Sequence, residues 1–202
     1  MKIIDISSEL LKAQVYPGDP EPRIQKMYQI ENDDEFNLSA LYTGLHNGTH
    51  VDAPSHIVEN GANILDIPLE KFIGPVEILT LPEGPITGAM VEKIFPKTAR
   101  RLILRTADDS EFFAGASEDA AALNYDLLGY DKISIGGKDE VLFHQAFLSK
   151  GTVLLEGLDL SSVTHDGEYF LMAQPLKIEG VEASLTRAVL IEDSIEWKAP
   201  LI

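Results

Sequence analysis

The sequence predicts a mixed α/β protein in which strands outnumber helices, and three observations carry that reading. Eight short segments rich in apolar and β-branched residues recur along the chain, punctuated by Gly, Pro, Asp and Asn, as strands require. Two longer segments instead place apolar residues at helical spacing. The 202 residues contain no internal repeat and no linker-like stretch. One domain over residues 1–202 is therefore the economical organisation, long enough to bury a core without staples.

Strands are expected at KIIDIS (2–7), RIQKMYQI (23–30), VEILTL (76–81), RLILRT (101–106) and KISI (132–135). TVLLEGL (152–158), YFLMAQPLKI (169–178) and RAVLIED (187–193) continue the series. The first helix is expected over SEDAAALNYDLLG (117–129), with Ser117 as N-cap and Gly129 at its close. The second is expected over DEVLFHQAFLSKG (139–151), where Gly151 reads as the C′ glycine.

Bulk composition narrows the function. Cysteine is absent, so disulfides and thiolate metal sites are excluded. The net charge of -17 repels phosphate backbones and anionic membrane surfaces, so neither nucleic acid nor a membrane is the expected partner. The opening MKIIDISSELLKAQ alternates charged and apolar residues too early for a signal peptide, and no apolar run approaches a membrane span. A cytoplasmic protein is expected.

Three of the five histidines fall within HNGTHVDAPSH (46–56). Gly48, Thr49, Val51 and Pro54 argue against a helix there, and Asn47–Gly48 marks a turn. In extended backbone, even-numbered side chains share a side, which groups His46, His50 and Asp52. Two imidazoles and a carboxylate make a site for a divalent cation. A closed structural zinc site is one reading; three protein ligands with an open position is the catalytic one. Farther on, Glu156 lies inside the apolar run VLLEGL, either facing water from an edge strand or holding a ligand, because a buried unpaired carboxylate is costly.

The pattern H-x-G-T-H-x-D-x-P-x-H, from His46 to His56, resembles the signature of the metal-dependent cyclase family, which includes bacterial kynurenine formamidase and isatin hydrolase. VYPGDP (15–20) is similar to the family's early loop, GASEDAAALNYDLLG to its middle helix, and LFHQAFLSKGTVLLEGL to its second metal motif. YFLMAQPLKIEGVEASLTRAVLI is similar to its C-terminal strand pair. The resemblance implies a β-barrel-like mixed sheet flanked by helices, of the swivelling β/β/α type. It implies one or two divalent metals, zinc or manganese, held by His46, His50, Asp52, His144 and Glu156, with the two carboxylates bridging. It gives His56 an acid/base role and sets Tyr16 against the substrate. The family's kynurenine formamidases are expected to have tryptophan at that position, whereas this chain's tryptophan is Trp197. EASLTRA (182–188) also departs from the family's Gly-Ser-Pro before the arginine. A homodimer or homotetramer is implied as well, with the Tyr16 loop reaching toward a neighbour. His165 receives no role.

The chemistry expected of such a centre is hydrolysis of a small amide or cyclic amide, with metal-activated water as nucleophile and an imidazole protonating the departing nitrogen. No G-x-S-x-G nucleophile motif competes with it. The alternatives are a cyclase or dehydratase that stabilises an enolate at the same metal, or a non-catalytic metal or small-molecule binding protein.

Overall fold

A computed structural model describes residues 1–113 and 115–192. The chain runs through β1 (Lys2–Asp5), β2 (Arg23–Tyr28), β3 (Leu38–Tyr42), β4 (His50–Asp52), β5 (Ile73–Thr80), α1 (Gly88–Ile94) and β6 (Arg101–Arg105). It continues through α2 (Ala116–Ala121), β7 (Leu127–Tyr130), α3 (Glu140–Leu148), β8 (Val153–Glu156), β9 (Gly167–Met172), β10 (Ala183–Leu185) and β11 (Val189–Glu192). Nine strands form one mixed sheet in the order β1-β11-β9-β5-β6-β7-β8-β4-β10, and β2 and β3 pair separately. The β5-β6-β7-β8 run is parallel and the remaining pairs are antiparallel.

Strand alternation sorts the core into two halves. Leu102, Leu104, Leu128, Tyr130 and Leu154 face the helices, packing with Val91, Ala120, Phe143 and Phe147. Their neighbours Ile103, Leu127, Val153 and Leu155 turn to the other side, where they join Ile4 of β1, Leu190 of β11 and Val51 of β4. Residues from both ends of the sheet thus share one core, so the sheet curls on itself as a barrel does, and the expected barrel-like α/β class is met. Parity then places Glu156, two residues beyond Leu154, on the helix side.

Several expected elements change. The helix expected over 117–129 ends at Ala121: Asn124 takes a left-handed conformation (φ 56), and the Asp126 N–H donates to the Arg100 carbonyl as the chain enters β7. The LLGY segment is therefore a buried strand. Ser117 is not its N-cap; Gly115 holds that position, and Ser117 Oγ donates to Glu118. KISI (132–135) is not a strand, because β7 already ends at Tyr130 and Asp131 leaves the sheet to accept from Thr106. RIQKMYQI does form β2, yet every residue of β2 and β3 is exposed and neither joins the main sheet. The strand at 169–178 stops at Met172. Asp193, the last residue of RAVLIED, and Trp197 lie outside the described residues. Helix α1 has no counterpart in the sequence reading, although Thr87 caps it by accepting the Met90 N–H.

The second helix fits its expected end. Gly151 (φ 77) lets its N–H donate to Leu148 and the Thr152 N–H donate to Phe147, a Schellman closure that turns the chain directly into β8. At the far end of β8 another glycine does comparable work. Gly157 (φ 65) donates its N–H to Lys132, and its carbonyl accepts from Ser8 Oγ and Thr49 Oγ1, each at 2.7 Å. A Cβ at this position would meet the Gly48 carbonyl. Gly157→Ala should therefore destabilise the protein by at least the ~1–3 kcal/mol of a left-handed non-glycine residue, read as a lower midpoint in urea unfolding. An unchanged midpoint would show that the Gly48–Gly157 contact is slack.

Candidate metal centre

Pairing across the sheet builds the site. His50 on β4 faces Glu156 on β8 in register, and Asp52 faces Leu154. Extending the β7–β8 register by one residue sets Tyr130 beside Glu156. Helix α3 delivers His144 from above this row. Thr49 fixes the loop that precedes β4: its hydroxyl donates to the Gly157 carbonyl and accepts the Ser8 N–H at 2.8 Å. Asn47 is buried too, donating to the Pro20 carbonyl and to Thr43 Oγ1. The sequence-level turn at Asn47–Gly48 is thus pinned on both sides.

The expected residues come together. His46, His50, Asp52, His56, His144 and Glu156 line one cavity of about 270 Å³, together with Tyr16, Ile57, Ile133 and Val141. His46 Nδ1 lies 3.1 Å from Asp52 Oδ1, and His50 Nε2 lies 3.5 Å from the same oxygen. His50 Nε2 is 3.7 Å from Glu156 Oε2, while His144 Nε2 is 3.2 Å from Glu156 Oε1 and 3.9 Å from Asp52 Oδ2. A short 3-10 turn over Pro54–His56 swings His56 back toward the cavity, where its ring centre is 4.4 Å from that of His46 and 5.5 Å from that of His144. His165 stands apart, beside Tyr169 and Glu192.

Donor chemistry tests whether a cation fits. His50 Nδ1 is 3.0 Å from the Gly48 carbonyl and His144 Nδ1 is 2.8 Å from the Glu140 carbonyl. A carbonyl only accepts, so both Nδ1 atoms carry a proton, and each ring turns its Nε2 toward the carboxylates, the nitrogen that would bind a cation once bare. This outer hydrogen bond to a carbonyl is the arrangement metal-binding imidazoles use. Asp52 is 1% exposed, and neither of its oxygens receives a hydrogen bond, nor does His50 Nε2. His46 approaches Asp52 closely enough to ion-pair without aligning as a donor. Buried lone pairs facing buried oxygens repel unless positive charge sits among them. Two groups of donors converge, His46 with Asp52 and His56, and His50 with Asp52 and Glu156, and Asp52 belongs to both. The cluster fits a divalent metal ion.

Protons supply the positive charge in the metal-free chain. Burial disfavours charge on His46, but the carboxylates of Asp52, Glu156 and Glu182 outweigh it and lift the ring to about 9. His144 reaches about 9 likewise: burial opposes, and Glu156, the Glu140 carbonyl and Asp52 prevail. Burial raises Asp52, yet the imidazoles of His50, His46 and His56 hold it at about 2. His56 is shifted the other way. Burial and the nearby His46 and His144 charges lower it, against the pull of Asp52 and Glu156.

Tyr16 reaches the mouth from the 15–20 loop, and its hydroxyl donates to Glu140 Oε2 at 2.8 Å. Two neighbours were not singled out in the sequence. Glu182, just before β10, lies 3.4 Å from His46 Nε2. Tyr130, fully buried, donates its hydroxyl to Glu156 Oε1. Burial together with Glu156, Asp52 and Glu140 raises this phenol well above its ordinary range, so it stays a donor. Its sequence signal was its place at the carboxyl end of a parallel strand, where side chains of α/β sheets meet ligands. A helix expected to run to Gly129 conceals that strand and leaves Tyr130 just outside it.

A family model described as "Putative cyclase" matches residues 4–137. The kynurenine formamidase of Salinibacter ruber (strain DSM 13855 / M31) is 35% identical, over 94% of this chain and 97% of its own. A solved structure described as a potential metal-dependent hydrolase with cyclase activity superposes with a TM-score of 0.78 at 27% identity, covering 94% of this chain and 96% of its own. An isatin hydrolase bound to the product analogue thioisatinate shares the fold, with a TM-score of 0.76 at 19% identity over 95% of this chain and 93% of its own.

Proposed function

The chain belongs to the cyclase family, and we propose that it is a metal-dependent hydrolase that cleaves a small amide or cyclic amide. The observation that carries the proposal is Asp52, a buried carboxylate without a hydrogen-bond donor that is common to two converging donor groups. In this reading His46, His50, Asp52, His144 and Glu156 hold two divalent cations, zinc or manganese, both of which suit imidazole and carboxylate donors. Such cations supply Lewis acidity, lowering the pKa of water toward about 7 and polarising a carbonyl. The side chains do the rest. Ile57, Ile133 and Val141 give the substrate apolar walls, and Tyr16 orients it at the mouth. A ring nitrogen of His56 takes the proton from the attacking water and returns it to the departing nitrogen, the step an amide needs most because its leaving group is poor. The kynurenine formamidase relatives support a formamide or other aryl amide as the substrate.

We further propose a cytoplasmic homodimer or homotetramer. Its support is the β2–β3 pair, where Ile24, Met27, Tyr28, Leu38, Leu41 and Tyr42 are all exposed. A two-stranded ribbon is marginal alone in water, and exposed apolar side chains along it suit burial against a second copy. Light scattering at micromolar concentration is expected to give at least twice the 22.2 kDa chain mass. A fully active monomer would remove this proposal.

Substitutions separate metal holding from proton transfer. His50→Ala, Asp52→Ala, His144→Ala and Glu156→Ala are expected to lose metal and activity together, with metal measured by plasma emission after gel filtration. His56→Ala is expected to keep most of the metal while kcat on an amide falls about 10²–10⁴-fold, and less on an activated ester. Metal loss in His56→Ala as complete as in His50→Ala would make His56 a ligand instead.

A further inference from the structure

We propose that Tyr130 is a positioning residue that divides the Glu156 carboxylate between the two imidazoles, holding one oxygen toward His144 and the other toward His50. The inference rests on the two-cation reading of the site. A glutamate's terminal torsion is broad and roughly two-fold, so its surroundings decide which way the oxygens point. Here Oε1 takes the Tyr130 hydroxyl and stands 3.2 Å from His144 Nε2, which leaves Oε2 turned to His50 Nε2 at 3.7 Å. Among the described residues, Tyr130 is the only side chain besides His144 in hydrogen-bond contact with Glu156.

The phenol itself has nowhere to go. Tyr130 is 0% exposed at the end of β7, and its ring packs edge-on to Phe143, 5.9 Å between centres. Phe143 also packs edge-on to the His144 ring, 5.4 Å away. One aromatic wall therefore fixes both the donor on Glu156 Oε1 and the imidazole that shares that oxygen. Without the hydroxyl, the carboxylate is free to rotate toward a single histidine, and one of the two cation positions loses an oxygen. Hydrogen-bond partners of this outer kind alter metal affinity by about 10–100-fold.

The test is metal titration of chelator-stripped protein with Mn²⁺ or Zn²⁺ against a competing chromogenic chelator. Wild type should take up two equivalents, and Tyr130→Phe should keep the first while binding the second about 10–100-fold more weakly. Tyr125→Phe serves as the comparison, because Tyr125 is also buried but donates to the Pro96 carbonyl, away from the cavity. It should leave both affinities unchanged even if it melts lower. If wild type takes up fewer than two equivalents, the two-cation reading itself fails. If wild type takes up two and Tyr130→Phe matches it, only the role of Tyr130 fails, and equal weakening of both equivalents overturns the division between histidines. Should the Phe variant not fold, 3-fluorotyrosine placed at position 130 keeps the shape. Its fluorine resonance should then move as the second equivalent is added, and a resonance indifferent to metal would overturn the proposal.

Discussion

Two carboxylates buried beside each other dominate this structure. Asp52 and Glu156 are 1% and 4% exposed, and charge in such a place is costly unless opposite charge and donors surround it. Imidazoles encircle them, two of which stay protonated above neutral pH when no metal is bound. Much of the local architecture serves that requirement. The register between β4 and β8 sets His50 opposite Glu156, and α3 lowers His144 onto the same oxygen row. The Thr49–Gly157–Ser8 hydrogen bonds clamp the two chain segments that meet there.

Fold and site were legible to different depths. Residues 46–56 could be read locally, because turn residues and alternation already place His46, His50 and Asp52 on one side, and the structure brings all three to one cavity. His144 and Glu156 are twelve positions apart, and residue pattern alone left Glu156 undecided between solvent and ligand. Their convergence depends on the Gly151 closure, which the sequence marks, and on the register of β8 against β4, which it does not. Tyr130 was hidden by an element boundary. Ala120 through Leu128 mixes helix formers with leucines, and only the left-handed Asn124 separates a short helix from a buried parallel strand. KISI misled for the converse reason: its apolar residues serve a loop, with Ile135 packed under the helices and Ile133 at the cavity.

His56 is the residue whose position most enriches the chemistry. Pro54 takes it off the alternating face, and the 3-10 turn then returns it beside His46 and His144. It is half-buried, and its proton affinity is lowered where those of its neighbours are raised. One short stretch of chain thereby presents imidazoles in contrasting electrostatic settings, the contrast on which the proposed division between ion holding and proton movement rests.

The central claim is that Asp52 is common to two cations. Electron paramagnetic resonance of the protein loaded with two equivalents of Mn²⁺ tests it most directly. A shared carboxylate couples the two spins, so the account predicts an exchange-coupled spectrum that collapses to an isolated six-line signal in Asp52→Asn. An isolated six-line signal from the fully loaded wild type would contradict it.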